Sequence, residues 1–154
     1  MRSGHATTRR PPHETLLQQE RFVGVLDGLG LRPPEGPGSP TVVAYHDACH
    51  LAHAQGVREA PRRLLESLPG VELVTPEDWE LCCGSAGTYN IEEPEIAARL
   101  GERKARSVIA TGASVLASGN IGCLTQVGLC LERLGTAIEV LHTIQLIDRA
   151  YGEG

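Results

Sequence analysis

From residue 41 onward the hydrophobic positions follow two alternating periods. Thr41–His46 (TVVAYH) is a short β-branched run that predicts a buried strand. Pro61 to Leu68 reads as a helix, opened by the proline and stopped by Pro69-Gly70. Val71–Thr75 predicts a second strand. Pro94 opens a longer helix to about Thr111, with Glu92, Glu93 and Glu95 near its positive end and Gly112 beyond it. Its expected core face is Ile96, Ala97, Leu100, Ala105, Val108 and Ile109, and its basic residues Arg103, Lys104 and Arg106 are expected in water. Ser114–Gly119 predicts the third strand. Ile121–Leu134 predicts a helix lined by Ile121, Leu124, Val127, Leu131 and Leu134 and stopped by Gly135. Ala137–His142 predicts the fourth strand, and Thr143–Tyr151 a last helix.

Upstream the pattern differs. Residues 1–13 are basic and polar with a Pro-Pro pair, and are expected to be disordered. Residues 14–30 carry a helical stripe of Phe22, Val25, Leu26 and Leu29. Residues 31–40 (LRPPEGPGSP) read as a Pro/Gly linker, which places the domain at 41–154.

Strands separated by helices imply the α/β class: a four-stranded, mostly parallel sheet flanked by helices, joined by right-handed crossovers. Ligands on such sheets sit beyond the carboxyl ends of the strands. The cysteines fall there. Cys49 follows the first strand, Cys82 and Cys83 follow the second, Cys123 follows the third, and His142 ends the fourth. The spacing is Cys-x32-Cys-Cys-Gly-x38-Cys. Adjacent side chains on an extended segment point to opposite faces. A loop that turns both thiols of a Cys-Cys pair toward one point therefore suggests a metal or redox centre.

Composition narrows the function classes. A net charge of −5 and a pI near 5.7 argue against an electrostatic nucleic-acid binder. No apolar stretch reaches the roughly 18 residues of a membrane span. The basic N-terminus has no apolar run after it, so a secretory signal is not expected. The expected setting is the reducing cytoplasm, where a metal or catalytic role for cysteine outweighs a structural disulfide.

Three motifs carry the chemistry. In YHDACHLAHAQG, Cys49 lies between His46 and His50, with His53 one turn on. His46, Asp47 and His50 are candidates to hydrogen-bond the sulfur or to bind a metal themselves; Asp47 is alternatively a helix cap. In ELCCGSAGTYN, Gly84 and Gly87 permit close approach or positive φ, and Ser85, Thr88 and free N–H groups can face an anion. In SGNIGCLTQ, Cys123 falls in the first turn of a helix, where the dipole favours thiolate, between Gly119 and Gly122 and a packing cysteine, Cys130. His142 either joins the site or caps the final helix. Trp79 is expected to pack under the cysteine loop. A Ser/His/Asp triad and a P-loop are absent, so no catalytic residue is expected. Four thiolates suit zinc or an iron–sulfur cluster, and ligands on three separated, glycine-rich loops favour the larger group. A cytosolic dithiol enzyme using Cys82 and Cys83 is a further alternative, weakened by the lack of Cys-x2-Cys.

YHDACHLAHAQGVR, LCCGSAGTYN, LGERKA and SGNIGCLTQ together resemble the cysteine-rich CCG domain of the glycolate oxidase iron–sulfur subunit. Related modules occur in lactate-utilisation iron–sulfur proteins and in heterodisulfide reductase. The resemblance implies an electron-transfer module with an iron–sulfur cluster, of the 4Fe-4S type, on Cys49, Cys82, Cys83 and Cys123. His46, His50, Gly84, Ser85, Gly119, Gly122 and His142 would form the surrounding layer. It also implies a flavoprotein subunit that carries the flavin, an N-terminal ferredoxin-type iron–sulfur region, and a cytoplasmic complex peripheral to the inner face of the cell membrane that delivers electrons to a membrane acceptor. The alternative is a zinc-stabilised assembly domain. Two features depart from the pattern. Gln126 stands where the heterodisulfide reductase form has a further cysteine, and there is one CCG module with no ferredoxin-type run.

Overall fold

The computed structural model describes residues 40–151. The disorder expected for residues 1–13, the helix expected over residues 14–30 and the linker expected up to residue 39 fall outside the described residues. The elements are β1 (Thr41–His46), a π-helical turn (His50–Ala54), α1 (Glu59–Glu66), β2 (Val71–Val74), α2 (Tyr89–Glu92), α3 (Pro94–Ala110), β3 (Val115–Ser118), α4 (Ile121–Arg133), β4 (Glu139–His142) and α5 (Thr143–Tyr151).

The sheet is entirely parallel in the order β2-β1-β3-β4. Side chains alternate across it, and both faces are covered. Val43, Tyr45, Val115, Ala117 and Leu141 pack with Leu65, Leu68, Leu146, Ile147 and Ala150 beneath α1 and α5. Ala44 and Leu116 face the other way, onto Ala105, Val108, Val127 and Leu131 of α3 and α4. Burial on both faces is why the strands read as near-continuous apolar runs.

The chain leaves β1 in one direction and β3 in the other. The first crossover runs through α1 on one face, and the next two run through α3 and α4 on the opposite face. A crevice therefore opens between the carboxyl ends of β1 and β3, the topological switch point of the sheet. His46 pairs in register with Ser118, and Ser118 with His142, so these residues form a row across that end.

The elements follow the sequence expectation, with instructive departures. α1 begins at Glu59 and takes Pro61 into its first turn, where a missing N–H costs nothing. The π-helical turn and α2 span only five and four residues, too short to show a period. The buried stripe of α3 is rotated from the expected one: Ala97, Gly101, Lys104, Ala105, Ser107 and Val108 are buried, whereas Ile96 and Ile109 are exposed. Small residues win because α3 packs closely on α4. A Cβ added to Gly101 would stand 2.9 Å from the Cys130 sulfur. Lys104, expected in water, is fully buried. In α4, Ile121 is 73% exposed and Leu134 half-buried, and Cys123 and Cys130 fill the inner face beside Leu124, Val127 and Leu131.

The correction on α4 is measurable. Ile121→Ser is expected to change stability by no more than about 0.5 kcal/mol. Leu124→Ala, three residues along the same helix, is expected to cost about 2–5 kcal/mol. Urea unfolding of the two variants checks both values.

Candidate metal centre

β1 delivers His46, Asp47 and Cys49 to the switch-point crevice. His46 is the last residue of the strand, on the face shared with Ala44, and is buried. Its two ring nitrogens have no hydrogen-bond partner, and neither does the hydroxyl of its neighbour Ser118. Asp47 does not cap the following turn, whose N-terminus lacks any side-chain cap. It pairs instead with Arg62 of α1 in a nearly dry contact. Arg62 also donates to Thr75 Oγ1 at 2.8 Å and lies over the rings of Tyr45 and Trp79, at 5.3 and 5.8 Å. Trp79 is thus held by cations, since Arg58 approaches it at 5.3 Å as well. One guanidinium ties together the ends of β1 and β2 and the approach to the Cys-Cys loop.

That loop turns sharply after Cys83. Gly84 has φ +88°, and its N–H donates to Cys82 Sγ at 3.4 Å. Its Cα presses on the first turns of α3: an added Cβ would stand 2.6 Å from the Ala97 carbonyl oxygen. Gly87 also has positive φ but faces open space. On the other side, a Cβ on Gly122 would stand 2.8 Å from Ser85 Oγ. These close approaches are made to protein atoms. Around Gly119 the contacts are ordinary, the nearest being Leu51 at 3.4 Å.

β3 leads through Asn120 into α4. The Asn120 carboxamide oxygen accepts from the Cys123 N–H at 3.1 Å, and its nitrogen contacts His50 Nδ1 at 3.4 Å. Asn120 therefore caps α4 and fastens the Cys49 loop to the Cys123 helix. The asparagine that opens Asn-x-x-Cys is the readable signal for this cap. Gln126 spans to α3, donating to the Ala97 carbonyl at 3.1 Å.

Cys83 and Cys123 meet His46 in this crevice, with Cys49 and Cys82 close enough for their charges to act on Cys123. Cys123 feels the charge of Cys83, Cys49 and Cys82 together, and thiol–thiol hydrogen bonds join Cys123 to Cys83 and Cys82 to Cys49. The ligand atoms of His46, Cys83 and Cys123 lie within 4.8 Å of one another. The hydrogen bond from Cys123 holds Cys83 well below the usual thiol range despite burial, aided by the nearby His46 ring and then by the Ser85 N–H. The same bond and burial push Cys123 up, and burial pushes Cys82 up. Cys83 is thus held toward thiolate while Cys123 and Cys82 are held toward thiol, a balance that a bound cation would shift. Cys130 stays apart, buried against Gly101. His53 is exposed and contacts Arg58 at 3.2 Å. His142 Nδ1 accepts the Ile144 N–H at 3.2 Å, so that ring caps α5. Thr88 turns away to Glu92.

The loop geometry makes a contrast in glycine tolerance. Gly84→Ala is expected to destabilise the fold by about 2–5 kcal/mol, from positive φ and overpacking on Ala97. Gly87→Ala, with only the backbone term, is expected to cost about 1–2 kcal/mol. Denaturant unfolding of the metal-free variants measures the difference.

Comparison with known proteins agrees with this geometry. The family model described as CCG: Cysteine-rich domain matches residues 43–128. Lactate utilization protein A of Oceanobacillus iheyensis is 36% identical over 106 residues, covering 69% of this chain and 43% of that protein. The probable glycolate oxidase iron-sulfur subunit of Bacillus subtilis is 39% identical over 116 residues, 74% of this chain and 26% of that protein. A fumarate reductase (CoM/CoB) subunit of Methanothermobacter marburgensis is 37% identical over 112 residues, 72% of this chain and 23% of that protein. The chain thus spans less than half the length of these relatives. With the matched segment holding all four converging cysteines, the chain belongs to the CCG cysteine-rich domain family.

Proposed function

We propose that this chain is an iron–sulfur electron-transfer module of a complex that oxidises glycolate or a related 2-hydroxy acid. The observation that carries the reading is the convergence of four thiols from three loops on one crevice, beside buried polar groups without partners. An unpartnered buried imidazole or hydroxyl costs about 1–3 kcal/mol, which a polar, metal-bearing occupant would offset. His46 and Ser118 are placed for that role. Relatives described as a glycolate oxidase iron-sulfur subunit and as lactate utilization proteins support the substrate class.

In this reading Cys49, Cys82, Cys83 and Cys123 hold a 4Fe-4S cluster, which supplies one-electron storage. The chain's own residues do the rest. Gly84 and Asn120 fix the loops that present the thiols. His46 and Ser118 wall the inner side, and the Asp47–Arg62 pair anchors the β1 end. Substrate oxidation falls to a flavoprotein partner, because removing hydride or electrons from a hydroxy acid needs an organic acceptor. Electrons then pass through a ferredoxin-type region toward a membrane acceptor. Among the described residues no helix is long and apolar enough to cross a membrane. In this reading the complex works in the cytoplasm, peripheral to the inner face of the cell membrane.

A second reading, a structural zinc site, is favoured by the compact His46, Cys83 and Cys123 triad, a mixed nitrogen–sulfur set that zinc accepts.

Metal and acid-labile sulfide analysis of anaerobically purified protein separates the two. The expected result is iron with matching sulfide; zinc without sulfide establishes the second reading. Cys83→Ser and Cys123→Ser are expected to lose most of the iron, and Cys130→Ser to retain it. Equal loss from Cys130→Ser in folded protein would assign the ligands differently. With glycolate and an artificial electron acceptor, the isolated chain is expected to show no turnover until the flavoprotein and ferredoxin-type partners are added.

A further inference from the structure

Lys104 carries a buried charge that the site described so far does not use. Its side chain is 0% exposed. It sits one turn beyond Gly101 on the face of α3 turned to the cysteine loop, where an added Gly101 Cβ would stand 3.4 Å from the Cys83 carbonyl oxygen. Its ammonium donates to the main-chain carbonyl of Asp78, a neutral acceptor. A buried ammonium without a counter-charge costs several kcal/mol.

The carboxylates in its field are already taken. Asp78 receives two hydrogen bonds from Arg103, both at 2.8 Å. Asp47 is paired with Arg62. Both carboxylates already answer an arginine, so Lys104 has no carboxylate ion-pair partner of its own among the described residues. The remaining group in its field that is held toward the anionic form is Cys83, with Cys123 beyond it. Burial pushes the lysine down, while Asp78, then Cys83, Asp47 and Cys123 hold it up.

We propose that Lys104 is the fixed counter-charge of the thiolate centre, set into the fold to favour its reduced state. The inference rests on the iron–sulfur reading. One-electron reduction adds one negative charge to the centre, with the electron supplied by the flavoprotein partner and no bond made or broken at the lysine. A cation held in a low-dielectric interior stabilises that extra charge more than it does the oxidised form. It acts through the centre's electrostatics and is a positioning charge rather than a ligand.

The test compares wild type, Lys104→Met and Lys104→Arg, each loaded anaerobically with iron and sulfide. Iron and sulfide content is measured first, followed by a dithionite titration read by absorbance and electron paramagnetic resonance. Lys104→Met is expected to retain the cluster and lower the one-electron reduction equilibrium constant about tenfold, ~59 mV toward lower potential. Lys104→Arg is expected to recover at least half of that shift. The metal-free proteins give a second readout. Lys104→Met without metal is expected to melt no lower than wild type, because an unpaired buried charge has been removed, and to gain less in Tm on loading. Should Lys104→Met not fold, Lys104→Gln enters the same titration. Equal midpoints in loaded wild type and the neutral variant overturn this inference alone. Failure of wild type to retain iron and sulfide overturns the proposed function and this inference with it.

Discussion

The site depends on a near-contact of main chains. The Cys-Cys loop can reach the switch-point crevice only because Gly84 lies flat against Ala97 at the start of α3, in a conformation that other residues resist. The same economy of volume recurs at Gly101, which admits the Cys130 sulfur, and at Gly122, which admits Ser85. Three missing methyl groups draw α3, α4 and the loop together. Cys83 and Cys123 then have no choice but to meet. The thiol chemistry is a consequence of that packing.

The cap on α4 and the ion pair on β1 complete the frame from the other side. Asn120 bonds both the Cys123 amide and His50, so the two cysteine-bearing segments share one side chain. Arg62 gathers Asp47, Tyr45, Thr75 and Trp79 around one guanidinium. Long, planar and always charged, arginine suits this task in a way lysine does not. Removing either hub would leave the cysteines present but poorly aimed.

Much of this was legible in the chain. The four strands announced themselves because both faces of a parallel sheet are buried, which turns each strand into an apolar run. The placement of cysteines after successive strands put them at the carboxyl edge of the sheet, which agrees with the fold. The errors share a cause. Reading bulk as burial put Ile121, Ile96 and Ile109 inside and Lys104 outside, whereas α3 buries its small residues to approach α4. A lysine that finds a carbonyl and a negative field leaves no periodic trace. Asp47 was a plausible cap by position, and only the fold brings Arg62, fifteen residues on, to claim it. The π-helical turn and α2 carry too few residues for any repeat to register.

The four thiols do not share one environment. Cys83 and Cys123 are sealed from water, at 1% and 5% exposure, whereas Cys49 and Cys82 are partly exposed. The crevice therefore has a dry wall and a wet lip. A group seated there meets dioxygen, small oxidants and docking proteins along the lip, and the inner sulfurs lie behind it. A reagent arriving from solvent therefore meets Cys49 and Cys82 before it meets Cys83 and Cys123.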